Sequence, residues 1–179
     1  MKLILLTAFL TLQLSASAED TTWVRKHIND VLTLELPEKA EPMQEEGKKG
    51  YLSNINNEIF LGISYADTVV PTKNFADFKF RLKQFGDGVV NRFSEQFEGT
   101  LLDTTVARTK GILITLTSKG NDAFARRVFY YVTIANGVLY SFIATNLTNV
   151  KLSKIESRFL DGIKFDIDKV KEARYVSSS

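Results

Sequence analysis

One histidine, His27, and no cysteine occur in the chain, so thiol nucleophiles, disulfides and the usual zinc ligand sets are unavailable. His27 stands near Trp23 and Arg25 with no nucleophile beside it, and reads as a structural imidazole rather than a general base. No Gly-x-Ser-x-Gly elbow, P-loop or dinucleotide glycine pattern occurs. Asp161, Asp166 and Asp168 are hard oxygen donors close in sequence, yet they lack the spacing of a calcium loop and alternate with Lys164 and Lys169, which reads as a solvated strand exit. Glu98 and Asp103 near a strand start are the carboxylates that a hydrolase-type enzyme, assembled by the fold, would use. Lys151, Lys154 and Arg158 recur at spacings of three and four and so project together from one side of a helix, as a possible partner surface. The plainer view of that trio is a wet helix face. The residues therefore name no catalytic group, cofactor or metal ligand. They favour a binding or assembly module over an enzyme.

The element that must organise any such surface is Ala125 to Thr145 (ARRVFYYVTIANGVLYSFIAT). Two β-branched and aromatic runs flank Asn136-Gly137, a pair that tolerates positive φ at both centres of a type I′ turn. With Ala135 opposite Val138, Phe129, Tyr131 and Thr133 share a face with Tyr140, Phe142 and Ala144. Tyr130, Val132 and Ile134 then share the other with Leu139, Ser141 and Ile143. Neither face is polar, so the hairpin belongs in a sheet covered on both sides.

Upstream, Asp20 to Leu36 predicts two short strands around Asn29-Asp30, ended by Pro37. Glu38 to Gly50 is charged, contains Pro42 and has no apolar period, which predicts an exposed loop with self-compensating Glu45, Glu46, Lys48 and Lys49. Tyr51 to Ile55 and Glu58 to Asp67 predict strands bent at Asn56-Asn57, the second burying Ile59, Leu61, Ile63 and Tyr65. Phe75, Phe78, Leu82, Phe85, Val89, Phe93 and Phe97 then recur every three or four residues, the stripe of an amphipathic helix. Thr72 or Asn74 can cap it. Gly86 and Gly88 admit either a close approach to the sheet or a break, and one helix with a weak middle is favoured. Leu101 to Thr109, Ile112 to Ser118, Ala123 to Ile134 and Val138 to Thr145 predict a four-stranded meander turning at Lys110-Gly111 and Lys119-Gly120-Asn121. A last helix capped by Asn149 or Ser153 carries Leu152, Ile155, Phe159 and Leu160 on its apolar side and closes at Gly162, before a short segment through Ile163 and Phe165.

Met1 to Ala18 has a basic residue at position 2, an apolar run from Leu3 to Leu12 and the small residues Ala16-Ser17-Ala18. It reads as a secretory signal peptide cleaved before Glu19, too short in its apolar run to be a membrane span. Residues 19–168 then form one domain, and 169–179 a polar, mobile tail. Removing the signal takes away Lys2 alone and brings the net charge of +2 down by one. That balance excludes a nucleic-acid binder. A cysteine-free exported chain must rely on core burial, which points to a bacterial periplasmic or secreted setting. The partner would be an envelope protein or a small ligand. Asn146-Leu147-Thr148 matches a glycosylation sequon by pattern only.

The order strands, helix, four-stranded meander, helix predicts an α+β fold: an α/β/α sandwich with a central, mostly antiparallel sheet under a long helix and a C-terminal helix. Leu34-Glu35-Leu36-Pro37, the hairpin through Asn136-Gly137 to Leu139-Tyr140-Ser141, and Phe159-Leu160-Asp161-Gly162-Ile163-Lys164-Phe165 together resemble the PsbP-like superfamily, named for a lumenal subunit of the photosynthetic oxygen-evolving complex. The resemblance spans nearly all of residues 20–166. It implies a non-enzymatic domain that binds a partner or assists assembly, and it supplies no catalytic residues; a photosynthetic role does not follow from fold.

Overall fold

The structure is a computed structural model and describes residues 22–55, 58–69, 72–106, 108–120, 125–147 and 154–171. The expected signal segment, the Asn56-Asn57 bend, Lys151 and the caps Asn149 and Ser153 lie outside them. The described elements run β1 (Trp23–His27), β2 (Leu32–Pro37), β3 (Glu41–Glu45), β4 (Lys48–Ile55), β5 (Glu58–Val69), α1 (Phe75–Phe93), β6 (Phe97–Val106), β7 (Thr109–Ser118), β8 (Arg127–Ala135), β9 (Val138–Asn146), α2 (Lys154–Asp161) and β10 (Ile163–Phe165), with a 3-10 turn at Ile167–Lys169.

Asn136 and Gly137 hold φ of 54° and 74°, and Ala135 pairs with Val138, so the hairpin closes through the primed type of turn whose twist matches its strands. Tyr131 lies opposite Phe142, and Val132 opposite Ser141. The two faces are those expected from the alternation. They sit at the centre of a seven-stranded antiparallel sheet in the order β3-β4-β5-β9-β8-β7-β6.

The two sheet faces feed two cores. On one, Phe78 and Leu82 of α1 pack with Leu61, Ile63, Val132 and Ile143. On the other, Phe60, Tyr131 and Phe142 pack with Leu34, Leu36, Phe159, Ile163 and Phe165. Phe60, Phe142 and Phe159 are wholly buried, each such side chain contributing about 1.5–3 kcal/mol by leaving water. The cover on this second side is therefore more than a helix: β1, β2 and β10 form a three-stranded sheet that shares the layer with α2. The expected pair of covering helices is corrected accordingly. β5 is corrected too, because Phe60 and Ser64 are as buried as Ile59, Leu61 and Ile63.

The helix runs unbroken through Gly86 and Gly88. A Cβ on Gly86 would overlap Leu101 Cδ2 and lie 2.7 Å from Ile112 Cδ1, so the glycine lets the helix lie close on β6 and β7. Asn74 caps the start, its Oδ1 accepting from the Asp77 N–H at 3.0 Å. Asp77 in turn accepts from the Lys73 N–H at 3.1 Å; that hydrogen bond, with Arg81 beside it, holds the Asp77 carboxyl below the usual range. Phe97 is corrected from helix stripe to strand. The helix ends at Phe93, where Ser94 turns the chain back on Asn91, and Phe97 opens β6 with its ring edge-on to Phe93 at 6.2 Å.

Three further expectations are overturned by long-range pairing. Glu38 to Gly50 is not a loop: Glu41–Glu45 and Lys48–Ile55 pair antiparallel about Gly47, and Lys48 Nζ meets Glu45 Oε2 at 2.9 Å across the turn. Pro42 is tolerated because β3 is an edge strand. The first meander turn falls between Val106 and Thr109, with Arg108 at φ 63°, rather than at Lys110-Gly111. Gly111 lies inside β7, where a Cβ would overlap Val132 O. Packing also continues past residue 168. Val170 is buried, and Asn136 Oδ1 accepts from the Lys171 N–H at 2.9 Å.

Candidate functional site

α2 buries one side and exposes the other. Phe159 is fully buried, its ring 5.1 Å from that of Phe60, and Gly162 ends the helix by donating to Arg158 O at 2.9 Å. Lys154 and Arg158, one turn apart, are exposed. Arg158 is not free to wander, however: its Cζ lies 4.7 Å from the centroid of the Trp23 ring. Trp23 is half-buried, with its ring 6.2 Å from Phe60. An aromatic shelf from β1 thus holds the guanidinium on the outer side of the helix. Arg25 on β1 adds a third exposed cation, 3.8 Å from Glu35 Oε1. The third member expected from the spacing, Lys151, lies outside the described residues.

The other candidates are not drawn together. His27 is exposed on β1, and its Nδ1 is 3.2 Å from Thr33 Oγ1. Glu98 and Asp103 both lie on β6, but an odd offset of five residues sends their side chains to opposite faces, about 17 Å apart along a strand. Asp103 is instead paired with Lys79 at 2.6 Å. These two do not form a carboxylate pair, which removes the constellation named for a hydrolase. Asp166 is held by Lys169 Nζ at 2.8 Å, and among the described residues no group of three or more acidic, histidine or cysteine side chains is placed to hold a metal ion. Asn146 is buried, and its amide donates to Glu58 Oε1 at 2.9 Å, so the sequon asparagine serves the core.

Spacing alone missed a cleft between the first two turns of α1 and the β6–β7 hairpin. Its volume is about 290 Å³, and Phe75, Phe78, Leu82 and Ile112 supply its apolar wall. Lys79 and Lys110 approach the Phe75 ring, at 5.8 and 4.5 Å from its centroid. The β7 end of the cleft is rigid, since Tyr131 Oη donates to Thr109 O and Thr133 Oγ1 to Lys110 O, each at 2.7 Å. Burial pushes the Tyr131 phenol up and raises its neighbour Tyr130 to about 12. The only sequence signal for the cleft is the basic pair itself, which does not reveal its neighbours.

Comparison with solved structures decides the architecture. A cyanobacterial PsbP (CyanoP) from Synechocystis sp. PCC 6803 superposes with a TM-score of 0.54, covering 86% of this chain and 98% of its own. The fold is PsbP-like. At 11% identity the likeness concerns the PsbP-like fold alone. No family model matches the sequence, and no curated protein matches it.

Proposed function

We propose that this PsbP-like chain is an exported, non-catalytic binding or assembly module of the bacterial cell envelope, whose partner-facing surface is the outer side of α2 with the start of β1. The observation that carries the proposal is the Arg158 guanidinium seated on Trp23 one turn from the exposed Lys154. A preorganised arginine loses little conformational freedom when it meets a carboxylate or phosphate, and its planar fork grips such groups in two places. A helix anchored from beneath by Phe159 presents that cation on a rigid base. The sequence spacing offers Lys151 as a further cation, and the signal-like segment Met1 to Ala18 supports an envelope setting. The partner surface is accordingly anionic.

Pull-down from envelope extract with wild type and with the triple variant Lys151→Glu, Lys154→Glu, Arg158→Glu, both verified as folded, tests this. The wild type should recover partners at low salt that the variant loses, with recovery fading as the Debye length falls below about 10 Å. Equal recovery by both proteins refutes the assignment of the surface. Mass spectrometry of exported protein should show Glu19 as the first residue, and an intact Met1 to Ala18 refutes cleavage at that point.

A further inference from the structure

The cleft on the α1 side is remote from the basic surface of α2, and its chemistry is of a different kind. Among the described residues, the apolar side chains Phe75, Phe78, Leu82 and Ile112 line it, with the charged groups Lys79, Lys110 and Asp103. Lys79 and Asp103 compensate one another at 2.6 Å. Lys110 is half-buried, and among the described residues no carboxylate lies within ion-pairing distance of it; its ammonium rests over the Phe75 ring. Among the described residues the lining thus carries one positive charge without a carboxylate partner, at the rim of an apolar hollow. A ring face is a weaker partner for an ammonium than a carboxylate, which gains a charge-assisted hydrogen bond.

Size narrows the ligand. A volume of about 290 Å³ corresponds to roughly ten groups of water size at about 30 Å³ each. Thr105 lies on the same side of β6 as Asp103 by strand alternation and lines the cleft, adding a hydroxyl close to the cations. From these observations we infer that the cleft binds a small amphipathic organic monoanion, a monocarboxylate with an apolar body of about eight carbons, with the carboxylate on Lys110 and the chain against Phe78, Leu82 and Ile112. A dianion would leave one charge unmatched, and a neutral molecule would leave Lys110 without its counter-charge.

Titration calorimetry with octanoate, octanamide and octylammonium on the whole mature protein tests the inference. Octanoate should bind saturably at one site, the amide at least about tenfold more weakly for want of the ion pair, and the ammonium not at all. Lys110→Met keeps the stem and removes the charge, so it should erase the preference for octanoate over octanamide. Thr105→Trp, at an exposed edge position, should block both ligands. Lys164→Met, on the opposite layer, should change nothing. Lys110 and Thr105 both lie outside the core, and if one variant fails to fold the other decides. Octanamide binding as tightly as octanoate, octanoate binding unaffected by either cleft variant, or no saturable binding of octanoate overturns the inference.

Discussion

The guanidinium of Arg158 lies 4.7 Å from the centre of the Trp23 indole, joining the last helix to the first strand across the layer that covers one face of the sheet. The stack has two consequences: it fixes the orientation of the exposed basic surface, and it shields the edge of the Phe60–Phe159 core. Trp23 is the only tryptophan, so indole fluorescence reports on the surroundings of this one side chain. Arg158→Met should shift the emission and lower stability by about 0.5–2 kcal/mol. A double-mutant cycle with Trp23→Leu should return a coupling of at least about 0.5 kcal/mol. Strict additivity of the two substitutions contradicts a stabilising stack.

The central hairpin depends on positive φ at Gly137, whereas a Cβ on Gly120 would enter open space. Gly137→Val should therefore destabilise by about 1–3 kcal/mol, the usual strain of a β-branched residue there, and Gly120→Val by much less. Denaturant midpoints at unchanged slope make the comparison. Equal midpoints would remove the hairpin from its organising position.

The two helix glycines should respond differently. A Cβ on Gly88 meets nothing within 4 Å, so Gly88→Ala should stabilise by about 0.5–1 kcal/mol through helix propensity. At Gly86 the same methyl collides with Leu101 and Ile112, and overpacking of about 1–3 kcal/mol offsets or exceeds that gain. Thermal midpoints of the two variants that rise together would contradict the close approach of α1 to β6.

Burial raises the Tyr130 phenol from 10.0 to about 12 and also raises Tyr131. Above pH 10 the unfolded chain loses these protons while the folded chain keeps them, so the folded state binds more protons and stability falls as pH rises. The loss should begin near pH 10 and grow up to the folded-state value of about 12 for Tyr130. Urea unfolding at pH 8 and pH 11 should show it, and Tyr130→Phe should reduce the difference. A variant with the wild-type pH dependence would assign the alkaline loss to other groups.

Local rules were enough for much of the fold. Period-two alternation about Asn136-Gly137 determined both faces of the hairpin, because a strand has only two sides and the turn sets which residues meet. Spacing of three and four determined the apolar side of α1, and Asn74 supplied a cap by its side-chain chemistry. The same rules failed where the decisive partner is distant. Glu41 to Gly50 forms strands because β5 offers β4 a full ladder of hydrogen bonds, an effect that outweighs the weak strand propensity of its charged residues. Phe97 continues a helical spacing by chance and leaves the helix once Ser94 turns the chain.

The sites divide in the same way. The sequence by itself determined that Lys154 and Arg158 share a helix face, since one turn separates them. Only the tertiary structure decided that Trp23 supports Arg158, that Asp103 pairs with Lys79, and that Lys110 stands over Phe75 without a carboxylate among the described residues. Spacing specifies directions within one element. Which elements face each other follows from burying two apolar sheet faces at once, a constraint that acts on the whole chain.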